Sequence, residues 1–86
     1  MDHYRVISVG ANGHALALQD ARGRCHVATL LASSPSSWPT LVGPAPSRGF
    51  QVLRAEDSGH LFRLIFEQVD CDRRELLERL DSIAAD

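Results

Sequence analysis

The chain has 86 residues, 44% of them hydrophobic, and nine basic against eleven acidic residues give a net charge of −2. This length allows one domain (1–86), because half of it could not bury a core without metals or disulfides. It also excludes a TIM barrel, a doubly wound dinucleotide-binding fold and a kinase. The acidic balance argues against a protein held to nucleic acid mainly by phosphate contacts, which usually carries a basic excess.

Residues 1–31 predict a meander of three β-strands. The runs 4–9, 14–19 and 24–31 are rich in β-branched, aromatic or alternating apolar residues, which favour strands. The first two are joined through Asn-Gly and the last two through Asp-Ala-Arg-Gly, and both sequences are typical of tight turns.

Residues 32–49 form a Pro- and Ser-rich segment that holds all four prolines and the only Trp. Proline at four positions excludes a regular helix and a central strand, although residues 40–42 fit a short edge strand. We therefore predict a long loop. Such loops are uncommon in compact domains and are usually functional or mobile.

Residues 50–69 predict a β-hairpin with strands at 50–54 and 60–69 around a Glu-Asp-Ser-Gly turn. Five of the six residues at 61–66 are large and apolar, so the alternation expected of a half-buried strand is lost. A strand that is apolar on both faces is normally covered on both. We therefore expect another element to pack on its second face.

The last segment, 72–85, predicts an amphipathic helix. Asp72 and Glu75 have the spacing of an N-cap and its capping-box partner. An apolar stripe at helical spacing follows, and it must be buried for so short a helix to persist. The stripe consists of Leu76, Leu77, Leu80, Ile83 and Ala84.

These elements predict a β-rich α+β fold, a small five-stranded antiparallel barrel or half-barrel with a C-terminal amphipathic helix. Their order (three strands, a crossover and two strands) resembles the OB-fold, the oligonucleotide- and oligosaccharide-binding barrel. The crossover is Pro-rich here, whereas that family usually carries a helix there. An SH3-like barrel fits nearly as well, since alternation does not reveal strand pairing.

Two features are candidates for ligand contact. Arg48-Gly49-Phe50 resembles the opening of an RNA-binding signature whose aromatic residues stack on bases. The signature breaks off at Gln51, which favours a Phe50 that enters the core. Trp38 is either a hydrophobic plug for the loop or a stacking platform, and we favour the plug.

Arginine supplies all the basic residues, and a positive patch forms only where several arginines share a face. Arg22 and Arg24 at the second turn, with Arg5, Arg54 and Arg63 on predicted strands, are candidates for such a patch, although we favour scattered, solvated arginines because of the net charge. The candidate binding residues are therefore Trp38, Arg48, Phe50, Arg54 and Arg63.

The two cysteines and four histidines show no spacing that is typical of a metal site, so we predict neither metal nor cofactor. Cys71, just before the predicted helix, is the best candidate nucleophile, but little else suggests catalysis. We predict no catalytic residues. The first residues lack the features of a signal peptide and no apolar run spans a membrane, so we expect a cytoplasmic protein, bacterial by composition, with unlinked thiols.

The resulting prediction is a non-enzymatic protein-interaction module that binds a partner protein or a second copy of itself. The apolar helix stripe, the doubly apolar strand and the Pro-rich loop favour it, because together they offer more apolar surface than a small barrel needs. The alternative is an OB-like protein that binds single-stranded nucleic acid, which the net charge disfavours.

Overall fold

A computed structural model describes residues 1–71, which form a closed barrel of six antiparallel strands. The strands are neighbours in the order β1-β2-β3-β6-β5-β4, and β4 closes the barrel against β1. They are β1 (Asp2–Val9), β2 (Ala15–Asp20), β3 (Cys25–Leu30), β4 (Leu41–Gly43), β5 (Gly49–Ala55) and β6 (Leu61–Cys71).

The small antiparallel barrel is confirmed, but the prediction of five strands is wrong. The sixth strand, β4, lies inside the Pro-rich segment and pairs with β1 on one side and β5 on the other, so it is not an edge strand. Leu41 opposes Tyr4 and Ala55, and all three are buried. These long-range contacts outweigh the local composition that predicted a loop.

The proximity of β4 and β5 depends on the glycine that ends β4. A Cβ added at Gly43 would overlap Cδ2 of Leu53, which is fully buried. Proline follows at Pro44 and has no N–H for a ladder, so the strand stops after three residues.

The barrel interior holds the side chains of one face of each strand. In β3 the two-residue period places His26, Ala28 and Leu30 on one face, and all three are buried; Val27 on the other face is also buried, in a second, smaller cluster. The largest fully buried apolar side chains are Tyr4, Phe66, Leu16, Leu18, Leu30, Leu41, Leu53 and Leu64.

Three register shifts bend the strands so that the barrel can close. The register of β1 against β2 shifts between Val6 and Ser8. Along β6, Cys71 pairs with Cys25, Gln68 with Val27 and Phe66 with Ala28, so β6 carries an extra residue at each of these two steps. Such bulges increase the local twist and are common at barrel rims.

The predicted helix at 72–85 lies outside the described residues. Residues 1–71 contain no helix, and therefore none that is long and apolar enough to cross a bilayer.

Candidate binding surfaces

The outer surface of β5 and β6 brings together three of the five predicted binding residues. Residues directly opposite each other in an antiparallel pair share a face of the sheet. On this surface the opposed pairs are Phe50 with Ile65, Val52 with Arg63, and Arg54 with Leu61. We call these six residues the hairpin face.

Large apolar side chains of the hairpin face are exposed to solvent. Phe50 is 58% exposed and Leu61 is 55% exposed. Leu31 extends the patch, since it is 49% exposed and its N–H donates to the carbonyl oxygen of Arg63 at 3.0 Å. The prediction that Phe50 enters the core is therefore wrong. The side chain of Leu53 points inward. Phe50 lies three residues earlier on the same strand, and an odd separation places two side chains on opposite faces, so Phe50 points outward. The element expected to cover the second face of β6 was predicted at 72–85, which lies outside the described residues.

The hairpin face also carries concentrated positive charge. Arg54 and Arg63 occupy diagonal positions on the two strands, so their side chains are near neighbours. Arg48 is exposed one residue before β5. Within residues 1–71 none of these three guanidinium groups has an ion pair with a carboxylate.

The arginines of the β2–β3 turn behave differently, because acids lie beside them. Arg24 lies 3.2 Å from a carboxylate oxygen of Asp70, and Arg22 lies 3.5 Å from one of Asp2. The arginines of this turn therefore lie beside carboxylates, whereas those of the hairpin face have no such ion pair within residues 1–71.

Trp38 lies apart from the hairpin face, in an open cleft of about 810 Å³ at one end of the barrel. The Pro-rich loop (33–39) forms one wall and the β5–β6 turn (55–60) forms the other. Phe62 lies between them. We call this site the end cleft.

The end cleft is lined by an aromatic cluster centred on Phe62. The ring centroid of Phe62 lies 5.0 Å from that of Trp38 and 4.8 Å from that of His60. Trp38 is half-buried and packs against the core. It therefore anchors the loop, as the plug interpretation predicts, and still contributes to the lining of the cleft.

Backbone hydrogen bonds hold the two walls of the cleft in place. The N–H of Glu56 donates to the carbonyl oxygen of Thr40 at 2.9 Å, which ties the loop to the hairpin turn. The N–H of Ala55 donates to the carbonyl oxygen of His60 at 2.7 Å and closes that turn. The hydroxyl of Ser34 donates to the carbonyl oxygen of Gly13 at the other end of the loop.

A buried carboxylate–imidazole pair lies on the barrel side of the β2–β3 turn. Nε2 of His26 donates to Oδ2 of Asp20 at 3.0 Å, and the backbone N–H groups of Arg22 and Arg24 donate to Oδ1. The N–H of Asp70 donates to Nδ1 of His26 at 3.1 Å, which places the ring proton on Nε2. Asp70 sits at the bulge with φ of 56°.

The electrostatics of this pair favour an ionised Asp20. Burial by itself would raise the pKa of Asp20, but the hydrogen bonds from His26 and from the N–H groups of Arg24 and Arg22 lower it below 3.8. His26 is 0% exposed. The pair is therefore inaccessible to a substrate and stabilises the turn and the bulge.

Tyr4 packs against the same pair. Its ring meets that of His26 edge-on at 6.1 Å, and its hydroxyl donates to the carbonyl oxygen of Pro44 at 2.6 Å. Burial, and then the nearby carboxylates of Asp2 and Asp20, raise the pKa of Tyr4 well above its ordinary value.

The two cysteines meet across β3 and β6, as opposed residues without a disulfide. Cys71 is buried, and its sulfur donates to the carbonyl oxygen of Cys25 at 3.4 Å. Residues 1–71 bring no three His, Cys, Asp or Glu side chains into an arrangement that could hold a metal ion.

Sequence reasoning missed several residues of both surfaces. Val52 and Leu61 could have been assigned to the hairpin face from the register of the hairpin. The turn residues at 56–59 indicate that register. Asp57 and His60 join the end cleft through the loop that crosses above them, and no local signal predicts that contact.

The chain was compared with models of protein families, with curated proteins and with solved structures, and none of them matches it.

Proposed function

We propose that this protein is a non-enzymatic interaction module whose hairpin face binds an acidic, apolar segment of a partner protein. The observation that carries the proposal is the combination of Arg54 and Arg63, which have no carboxylate partner within residues 1–71, with exposed Phe50 and Leu61 on one face. Aromatic residues and arginine are the types most enriched at binding hot spots.

The exposed apolar side chains support a binding role because they are contiguous. Single exposed hydrophobic residues are normal, whereas patches rimmed by polar groups usually mark interaction sites. Phe50, Leu61 and Leu31 lie on three adjacent strands or strand ends and surround Arg63.

The partner meets side chains rather than a free strand edge. The strand β6 pairs with β3 on one side and with β5 on the other, so its backbone groups are already used. Carboxylates suit the two guanidinium groups because they accept paired hydrogen bonds from arginine. The apolar residues of the partner then cover Phe50 and Leu61.

Charge argues against a homodimer through this face. A two-fold dimer would apply the same patch of each copy to the other and bring arginines against arginines. Like charges across an interface are costly, so we propose a different protein as the partner.

Single-stranded nucleic acid is the competing ligand for the same face. We propose a relationship of the barrel to OB-like or SH3-like barrels only as part of this alternative. Phe50 as a stacking residue with Arg48, Arg54 and Arg63 as phosphate contacts supports it. The net charge of −2 and the isolation of Phe50 as the one aromatic residue of the hairpin face count against it.

The test is a titration with two labelled probes, a short peptide of alternating glutamate and leucine or phenylalanine, and a mixed-sequence single-stranded oligonucleotide. Each is added at low and at high salt. The double variant Arg54→Ala/Arg63→Ala is compared with Arg5→Ala/Arg22→Ala, which removes the same charge elsewhere on the surface.

We expect the peptide to bind, and we expect the hairpin variant to weaken it by about tenfold or more, because each lost contact is a charged hydrogen bond. The control pair should change affinity by less than about threefold, as expected for exposed charges. Tighter binding of the oligonucleotide than of the peptide would reassign the face to nucleic acid. Equal losses in both double variants, or no binding of the peptide at low salt, would overturn the proposal.

A further inference from the structure

The end cleft has a chemistry that differs from that of the hairpin face. Its lining combines the aromatic cluster of Trp38, His60 and Phe62 with a single carboxylate, that of Asp57. None of the described residues that line it is an arginine. Anionic ligands would therefore find no guanidinium group in the described part of the cleft.

Aromatic rings and a carboxylate together attract cations. The face of an aromatic ring is electronegative, and tryptophan is the strongest of the side chains in this respect. Asp57 has no ion pair within residues 1–71, and the neighbouring Glu56 instead contacts His3 at 3.0 Å. The charge of Asp57 is thus available to a ligand.

The rest of the lining indicates what kind of cation fits. Pro35, Pro39 and Ala55 provide apolar surface suited to methyl groups, and the lining serines add hydroxyl groups that are neutral. A small, strongly hydrated metal ion needs several oxygen ligands, which one carboxylate does not supply. An alkylated ammonium group needs aromatic and apolar contacts with one negative charge nearby.

We infer that the end cleft binds an alkylammonium cation, with Trp38 against its methyl groups and Asp57 as its counter-charge. The cation is either a free small molecule or the end of a methylated lysine side chain. The hydrogen bond from the N–H of Glu56 to the carbonyl oxygen of Thr40 joins the loop to the turn and so holds the two walls of the cleft together. This site is separate from the hairpin face, so either proposal can fail without the other.

The experiment uses the full chain, labelled with ¹⁵N, and follows the amide signals of Gly59 and His60 by NMR with Trp38 fluorescence as a second readout. The probes are choline and 3,3-dimethyl-1-butanol, which has the same shape without the charge. A trimethyllysine peptide and its unmethylated form distinguish the side-chain source from the free molecule.

We expect choline or the trimethyllysine peptide to shift these signals, and the neutral analogue to bind at least about threefold more weakly, the lower range of a cation–π contact. Asp57→Asn should weaken binding about two- to fivefold. The matched control Glu67→Gln removes the same charge outside the cleft and should leave affinity unchanged. Trp38→Leu should weaken binding about 3- to 30-fold if it folds.

Equal affinities of choline and the neutral analogue would overturn the inference, because the positive charge of the ligand would then contribute nothing to binding. An unchanged affinity in Asp57→Asn, or an equal loss in Glu67→Gln, would also overturn it. So would the absence of any shift with both cationic probes at millimolar concentration.

Discussion

Replacing Asp20 with asparagine tests whether the buried pair stabilises the barrel. Asp20 accepts hydrogen bonds from His26 and from the N–H groups of Arg22 and Arg24. In Asp20→Asn, the side-chain oxygen can still accept hydrogen bonds from the N–H groups of Arg22 and Arg24. The side-chain NH₂ group then faces the Nε2–H of His26, and both of these groups are donors. Moving the ring proton to Nδ1 does not help, because that nitrogen faces the N–H of Asp70.

Either arrangement leaves a buried donor facing another donor. The loss of a hydrogen bond to a charged group and the unsatisfied donor together predict that Asp20→Asn lowers the free energy of unfolding by about 2–4 kcal/mol. A chain of this length is expected to have a stability of about 4–13 kcal/mol, so the loss is large but measurable.

The assay is urea unfolding at neutral pH, followed by circular dichroism and by Trp38 fluorescence. Asp57→Asn, an exposed carboxylate at a turn, is the matched control and should change stability by less than about 0.5 kcal/mol. The double variant with His26→Phe should show a coupling energy of about 1–3 kcal/mol between the two positions.

The pH dependence of stability gives a second measurement. Because the pKa of Asp20 in the folded protein lies below 3.8, its contribution is complete above that pH and is lost as the pH falls toward the folded pKa. The difference between wild type and Asp20→Asn should therefore shrink below pH 3.8. A loss no greater than that of Asp57→Asn, or a coupling near zero, would refute the argument.

Three further predictions concern other positions. Gly43→Ala should lower stability by about 1–3 kcal/mol in urea unfolding, since its Cβ overlaps the buried side chain of Leu53; an unchanged midpoint would contradict this close approach. Tyr4→Phe should cost about 1 kcal/mol through loss of its bond to Pro44, and in wild type the 295 nm absorbance of this single tyrosine should not rise near pH 10 while the protein stays folded. Phe50→Ser should leave stability within about 0.5 kcal/mol because the ring is exposed, yet abolish peptide binding to the hairpin face; a large loss of stability would place this ring in the core instead.

The two surfaces have different relations to the barrel. The hairpin face consists of outward side chains on strands, so its geometry follows from strand pairing. The end cleft depends on the Pro-rich loop, which packs against the β5–β6 turn. A hydrogen bond from the N–H of Glu56 to the carbonyl oxygen of Thr40 joins the two. A substitution in the loop should therefore affect the cleft and spare the hairpin face.

Local patterns in the chain were sufficient to predict most of the strands. β-Branched and aromatic residues located β1, alternation located β2 and β3, and turn residues located their connections, because strand propensity, a strand's two-residue period and a turn's backbone angles are properties of neighbouring residues. The same reasoning placed His26 and Leu30 on one face, where they are buried.

Local patterns failed where the outcome depends on distant residues. The strand β4 exists because Leu41 fits between β1 and β5, although its flanking prolines are typical of a loop. At residues 61–66, apolar side chains on both faces gave no alternation to read. Pairing with β5 then determined that Phe62 and Leu64 point inward and Leu61 outward.

The binding residues follow the same division. Composition could identify Trp38, Phe50 and the arginines as unusual, but it could not say which of them lie together. Strand register joined Phe50 to Arg54 and Arg63, and the loop crossing carried Trp38 to another site. Register and loop packing are set by the burial of side chains far apart in the chain, and no short window of sequence contains both partners.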